Sequence, residues 1–436
     1  MKRVNKKLED TKPVRSALVQ IEKPIYGGAF LARLEGKATF VPLTLPGEQA
    51  RVRIVEEKRG YALAEADEIV TAAPERVVPG CRHFGVCGGC NYQHANYESQ
   101  LGFKQAILRE TLQRGGVEAP ETIDILAGNE WQYRNRIRLA LDGAGRVGYR
   151  ARRSHDLIPI SECPIASPLL VQAALSGGEI LRRGKAGLRP SEVSLFCNAE
   201  ETQLLASVFV CDAASRTLDQ FFGEWKERIP ALVGIEFLEE GRAGKPARAL
   251  ARRGEASLTY RAGGANYRVD HGAFFQVNRW LVDALVDRVT AGRRGGLAWD
   301  LFAGVGLFAR RLAESFAQVA AVESSPTAVE ALAHNVEGTT GTCVKAETLA
   351  FLRAHRTAKP EVIVVDPPRV GLGAETTSLL AEVGAPTIVY VSCDPATLAR
   401  DLRALIDAGY ALSSVTLADL FPQTFHLESV VELRRS

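Results

Sequence analysis

Five short apolar runs in the carboxyl-terminal part of the chain constrain its fold most. GGLAWDLF (295–302), QVAAVES (318–324), GTCVKA (341–346), EVIVVDPP (361–368) and PTIVYVSC (386–393) show no alternation of apolar and polar residues. Strands buried on both faces read this way, whereas half-exposed strands alternate. Amphipathic stretches lie between them: FARRLAESF, PTAVEALAHNV, ETLAFLRAH, TTSLLAEVG and PATLARDLRALIDAG. This grammar predicts an α/β domain built on a doubly wound parallel sheet, with ligands at the carboxyl ends of its strands. Two further β-like runs, ALSSVTLADLF and HLESVVELRR, are expected to close one edge, the last of them antiparallel.

That domain, taken as 266–436, leaves more than half of a 436-residue chain for other cores. Residues 15–72 hold five β-rich runs separated by Gly27-Gly28, Gly36-Lys37, Pro46-Gly47 and Arg59-Gly60, which predicts an OB-like β-barrel, a shape that often binds oligonucleotides. Residues 1–14 read as a basic flexible tail. Residues 73–265 mix strand-like runs (RIRLALD, VSLFCN, QLLASVFV) with a helical stretch near 97–114, and are read as an α+β central domain. Within it, about 95–125 is a candidate for packing on the α/β domain.

An apolar share of 46% with 24% charged residues is that of a globular protein, and no apolar run is long enough to cross a bilayer. The start, MKRVNKKLEDTKPVRS, has no apolar stretch of the secretory kind, so a cytoplasmic location is expected, with a monomer the simplest assembly. Eight cysteines are then not expected to pair as disulfides. A net charge of +3 points only weakly to nucleic acid. Arginines cluster, however, at Arg134, Arg136 and Arg138 and at Arg150, Arg152 and Arg153, as phosphate-binding stripes do; a solvated charged face would look the same.

Several side chains fall on the predicted carboxyl edge of the sheet. Gly304-Val-Gly306 ends the first strand of the α/β domain, Ala309 stands where a dinucleotide fingerprint would have its third glycine, and Glu323 ends the second strand. A carboxylate for a ribose without a phosphate cradle suits S-adenosylmethionine better than a dinucleotide. Cys393 joins a buried strand to a helix that Asp394 would cap and Pro395 would start, beside the place where helix dipoles lower thiol pKa values. A buried cysteine packed as a small apolar residue is the plainer alternative. Asp366 ends the neighbouring strand. Far upstream, Cys81, Cys87 and Cys90 with Cys163 offer four thiolates, a set that suits zinc and an iron–sulfur cluster equally. Cys197, Cys211 and Cys343 lie in strand-like runs and read as core.

Three long motifs then agree in order: Asp366-Pro-Pro-Arg369-Val-Gly371, Ser392-Cys393-Asp394-Pro-Ala-Thr-Leu-Ala-Arg400-Asp401 and Asp419-Leu-Phe-Pro-Gln-Thr-Phe-His426-Leu-Glu428, preceded by Phe274-Phe-Gln276-Val-Asn278. With them the chain resembles the RNA uracil-5-methyltransferase family over nearly its whole length, its barrel being similar to the TRAM domain of many members. The resemblance implies a Rossmann-like class I methyltransferase domain and S-adenosylmethionine-dependent methylation of C5 of an RNA uridine. It implies Cys393 as the nucleophile that adds to C6 and Glu428 as the base that removes the C5 proton. It further implies Gln276, Phe302, Glu323 and Asp366 around the methyl donor and the base, with Glu347 as an adenine contact. A [4Fe–4S] cluster on Cys81, Cys87, Cys90 and Cys163 follows from the same likeness. The sequence departs from the family at Ala303 (usually Cys) and Asp394 (usually Asn), while some relatives carry Asn at the position of Leu307. Arg134, Arg136, Arg150, Arg152 and Arg153 are expected to hold phosphates, and Phe274 or Phe275 to stack on a base. The barrel and four cysteines favour 23S ribosomal RNA as the substrate; transfer RNA, or an inactive RNA-binding module, is the alternative. A cytosine methyltransferase would normally show a Pro-Cys dipeptide or a second catalytic cysteine, and Cys393 follows Ser392.

Overall fold

A computed structural model describes residues 15–183, 188–210, 215–239 and 247–435, so the basic segment 1–14 and Cys211 lie outside the described residues. Strands Ser16–Pro24, Ala29–Leu34, Lys37–Pro42, Gln49–Glu57 and Tyr61–Thr71 close into a barrel. Their alternation turns Val19, Ile21, Phe30, Val41 and Val52 inward. Register shifts where Gln49–Glu57 pairs with Tyr61–Thr71 bend the ladder enough to close it.

The middle of the chain forms a seven-stranded sheet in the order Arg248–Gly254, Leu232–Glu239, Leu204–Val210, Pro190–Cys197, Arg136–Leu141, Val147–Arg150, Leu157–Pro159. Helices Pro168–Arg182 and Ser215–Arg228 bury Leu170, Ala174, Leu218, Phe221 and Trp225 against it.

An eight-stranded sheet carries the α/β domain, in the order Gly341–Lys345, Phe316–Glu323, Gly295–Leu301, Val362–Val365, Thr387–Ser392, Glu428–Arg435, Tyr410–Ala418, Asp124–Leu126. The first five are parallel, and Glu428–Arg435 inserts antiparallel between its two neighbours. The outermost strand comes from far upstream, which periodicity could not reveal in a segment of three residues. Helix Tyr97–Arg114 also belongs here physically, since Ile107, Leu108 and Leu112 share a core with Leu398 and Leu402. A Cβ at Gly115 would lie 2.6 Å from that of Ala399, so only glycine lets the end of this helix sit so close. The hairpin Ser257–Ala262 and Ala265–Asp270 likewise buries Leu258, Tyr260, Tyr267 and Val269 beside Val364 and Val389.

One buried ion pair locks the upstream helix to the loop that follows strand Tyr410–Ala418 of the eight-stranded sheet. Lys104 Nζ lies 2.5 Å from Asp419 Oδ1 with both side chains sealed from solvent, and it donates a second bond to the Phe421 carbonyl at 2.9 Å. Around it, the Gln423 backbone N–H donates to Gln100 Oε1 (2.9 Å), and its carbonyl accepts from Asn91 and Tyr92 N–H (2.9 and 3.0 Å). The loop 419–427 is therefore held by the cysteine-rich segment and the helix that follows it. Removing one partner of a buried pair strands the other charge, which costs about 3–5 kcal/mol, whereas an apolar pair of similar volume is often neutral. Lys104→Met is thus expected to lower unfolding stability in urea by about that amount, and Lys104→Met with Asp419→Leu to regain most of it. Equal losses in the single and double variants would deny the pair this role.

Candidate active site

The site follows from strand register. Leu301 pairs with Val322 and with Val365, and Val365 pairs with Tyr390. The residues that come next on three of these parallel strands, Glu323, Phe302 and Asp366, therefore share one rim at the carboxyl edge, and Cys393 lies on the same rim. Across the antiparallel ladder Ser392 pairs with Ser429, so the same register sets Cys393 opposite Glu428. Five strands thus deliver a thiol, three carboxylic acids and a glycine turn to one place.

The glycine turn fits a ligand's approach. Phe302 (φ 64°) and Gly306 (φ 87°) both adopt left-handed backbone, and a Cβ at Gly306 would meet Leu332 Cδ1 at 2.7 Å. Glu323 Oε2 accepts from Gly304 N–H (2.8 Å), and Oε1 accepts from Ser324 and Ser325 N–H (2.8 and 2.7 Å). Oε2 keeps a lone pair for a diol, whereas both lone pairs of Oε1 are engaged by the two serine amides. Asp300 beneath the turn accepts from Ala309 N–H at 2.8 Å, and burial pushes its carboxyl up to about 8, so it caps the turn largely without charge. Phe302, Gly304, Gln276 and Asp366 line a small cavity beside this turn. Gln276 is buried and donates to Asp366 Oδ2 at 3.5 Å. Phe274 is 62% exposed at the cavity's rim, while Phe275 packs on Tyr260 at 4.4 Å in the core, so only the former is free to stack. Glu347 stands exposed at the start of helix Thr348–Ala354.

The electrostatics reverse one expectation. Asp394 Oδ1 accepts from Ala396 and Thr397 N–H (3.0 and 2.9 Å), so the helix N-terminus is spent on the cap. Burial, reinforced by Glu428 and Asp366, pushes the Cys393 thiol up to about 11 instead of down, with Arg369 opposing. Burial likewise raises Asp366 to about 7 and Glu428 well above the carboxylate range, the latter also through Asp366. Burial and mutual repulsion thus oppose simultaneous ionisation of the three groups. Arg369, quoted in a motif but given no role from sequence, is the cation that faces them, and its guanidinium lies 3.4 Å from His426 Nδ1.

Burial also redraws the arginine stripes. Arg136 donates to the Ala273 carbonyl (2.7 Å) and lies 4.3 Å over the Phe196 ring, and Arg134 lies over Tyr133 and Phe421. Neither presents a stripe to phosphates. Arg138 pairs with Glu192, whereas Arg150, Arg152 and Arg153 line an open groove beside Gly27 and Gly28 of the barrel. His271 is buried, and burial lowers it to about 4, as a packed histidine would be.

Cys81, Cys87, Cys90 and Cys163 line one cavity of about 270 Å³, together with Arg134, Tyr149 and His426. Gly89 N–H donates to Cys87 Sγ (3.4 Å) and Tyr149 O–H to Cys163 Sγ (3.6 Å). Burial raises Cys81 and Cys87 and pushes Cys90 up to about 12. Among the described residues no group of three or more His, Cys, Asp or Glu is arranged to hold a single metal ion. Cys197 is buried, as its strand position implies, and Cys343 is half-buried.

A half-buried thiol pushed up to about 11 is almost wholly protonated at pH 8. Iodoacetamide labelling of Cys393 in the substrate-free protein, followed by mass spectrometry, is expected to accelerate about tenfold per pH unit from 8 to 10. A plateau below pH 9 would mean that the pocket lowers the thiol's pKa after all.

The profile of the tRNA (uracil-5-)-methyltransferase family matches residues 352–436, and that of the TRAM domain matches residues 11–66. The chain is 34% identical to the 23S rRNA (uracil(1939)-C(5))-methyltransferase RlmD of Halomonas elongata, over 94% of this chain and 87% of that protein. The RlmD of Chromohalobacter salexigens is also 34% identical, over 96% and 89%. Among solved structures, the fold is similar to that of a Pyrococcus abyssi tRNA (uracil-54, C5)-methyltransferase in complex with S-adenosyl-L-homocysteine. That likeness has a TM-score of 0.75 at 23% identity, over 95% of this chain and all of that one.

Proposed function

The chain belongs to the RNA uracil-5-methyltransferase family, and we propose that it methylates a uridine of 23S ribosomal RNA through a transient bond between Cys393 and C6. S-adenosylmethionine-dependent transfer to C5 of an RNA uridine is the reaction of the fold and family. The observation that carries the covalent route is the register that sets Cys393 opposite Glu428 across one ladder.

The residues divide the work as follows. S-adenosylmethionine supplies an electrophilic methyl group and a sulfonium charge. Glu323 takes the ribose hydroxyls, Phe302 and Gln276 wall the donor, and Glu347 contacts the adenine. Asp366 accepts the N3–H of uracil, which cytosine lacks. Cys393 as thiolate adds to C6, forming the C–S bond while the ring electrons move toward C5, which attacks the methyl carbon as the carbon–sulfur bond of the donor breaks. Glu428 then removes the C5 proton, and the C–S bond to Cys393 breaks to restore the ring. In the free protein burial and crowding oppose ionisation of these acids, so positive charge arriving beside them favours their ionised forms. Arg369 adds to that effect.

The two RlmD relatives support a ribosomal substrate, and with it the reading of a cytoplasmic enzyme; no helix among the described residues is long and apolar enough to cross a membrane. Its RNA path runs along Arg150, Arg152 and Arg153, with Phe274 stacking near the flipped base. The four cysteines fit a [4Fe–4S] cluster: they surround one cavity, two of them already receive hydrogen bonds of the kind that stabilise sulfur ligands, and Arg134 offsets negative charge in its wall. Such a cluster would brace the segment that holds loop 419–427, with no part in the methyl transfer.

In 5-fluorouridine the C5 proton is replaced by fluorine, which cannot leave as a cation, so wild-type protein with methyl donor is expected to trap a covalent adduct on the 23S fragment and not on a transfer-RNA T-arm. Cys393→Ala should trap none, and Glu428→Gln should accumulate adduct even on ordinary uridine. A trap by Cys393→Ala, or on the T-arm alone, would overturn the nucleophile or the substrate respectively. Protein purified without oxygen is expected to bind about four iron atoms per chain and absorb near 400 nm, and Cys163→Ser to lose both; stoichiometric zinc instead would refute the cluster.

A further inference from the structure

The barrel reaches the nucleophile. Tyr26 occupies the turn between barrel strands Ser16–Pro24 and Ala29–Leu34, where Gly27 (φ 105°) and Gly28 (φ 86°) supply the left-handed backbone and Ile25 N–H closes onto the Ala29 carbonyl at 3.1 Å. Its side chain leaves the barrel and packs against the catalytic core. There its hydroxyl donates to Asp394 Oδ2 at 3.4 Å, the oxygen that the helix cap leaves free. Its ring meets Phe425 edge-on, with centroids 5.8 Å apart at 84°. Asp394 adjoins Cys393 in sequence, and Phe425 sits three residues before Glu428. One tyrosine therefore touches both loops whose ends must react with the same ring. Lys23 Nζ, 2.7 Å from Glu110 Oε1, holds the barrel against the helix that is itself packed on the catalytic sheet.

We propose that Tyr26 is a positioning residue of the methyl transfer, fixing the Cys393 and Glu428 loops relative to one another, so that the barrel forms part of the active site. The inference rests on the covalent route above. A closed barrel is rigid, and a rigid element is the better platform for a residue that must hold geometry to a fraction of an ångström. Burial and the nearby Asp394 push the phenol up to about 12, so Tyr26 stays a donor at working pH. The 3.4 Å bond is long, as hydrogen bonds around a site often are before substrate closes it. Asp394 makes the contact specific to this chain's own residue type, because a carboxylate accepts at both oxygens while an asparagine accepts at one.

The test uses full-length protein and bulk RNA from a strain lacking it, so that the choice of RNA does not enter. Tyr26→Phe keeps the edge contact and deletes only the hydrogen bond; it is expected to lower kcat roughly tenfold, as loss of a bond to a charged group does, with KM for RNA within about twofold. Tyr26→Ala should lower kcat further at the same KM, and both should change the rate at which iodoacetamide labels Cys393 without RNA. Asp394→Asn should make the Tyr26→Phe loss smaller, since the two share one bond. A rise in KM at constant kcat would make Tyr26 an RNA contact and overturn the proposal. Wild-type kcat and labelling in Tyr26→Phe would do so as well, whether or not Tyr26→Ala folds. Failure of the covalent route would show separately, as activity in Cys393→Ala.

Discussion

Lys104 and Asp419 meet where nothing polar would be left unpaired without cost, and much of the architecture leans on that meeting. The ammonium and carboxylate are both sealed from water, so neither tolerates the loss of the other. Through them a helix from upstream of the central sheet is tied to the loop that ends in Glu428. Gln100, Gln423, Asn91 and Tyr92 extend the same junction toward the cysteine loop. Apolar contacts would hold the helix in place, but they would not fix the loop's direction, which hydrogen bonds and an ion pair do.

The catalytic sheet was readable because central parallel strands are apolar on both faces, and VIVV (362–365) or IVYV (388–391) leaves little room for another reading. The barrel was readable for the opposite reason, since Val19 and Ile21 alternate with exposed Gln20 and Glu22. Asp124–Leu126 was not, because three residues carry no period. Site chemistry was legible in part. The residue types at the strand ends named the thiol, the acids and the glycine turn. The direction of the Cys393 shift was hidden, because it depends on Asp394 taking the helix amides and on two acids arriving from distant strands. Arginine roles were hidden too: a guanidinium over Phe196 and one in a solvent groove look alike in sequence. Phe274 and Phe275 differ only in which way the chain faces them.

Charge crowding gives the pocket its character. Burial and mutual repulsion disfavour the ionised forms of Cys393, Glu428 and Asp366, and Arg369 is the counterweight drawn from a motif that otherwise reads as structural. A thiol held neutral is poorly reactive toward stray electrophiles and oxidants, since the thiolate is the reactive form. The same crowding that slows the free thiol makes its ionisation responsive to whatever cation enters.

The strand Glu428–Arg435 occupies a slot between two strands that precede it in the chain, one leading into Cys393 and the other joined to the outermost strand. Because side chains alternate faces, a slip of one residue in that slot would turn the carboxyl away from the sulfur altogether. The Cys393 thiol and the Glu428 carboxyl consequently come face to face only when this late segment has been seated in register. A partly folded chain holds the pieces of the reaction on separate surfaces, and assembly of the chemistry coincides with completion of the sheet.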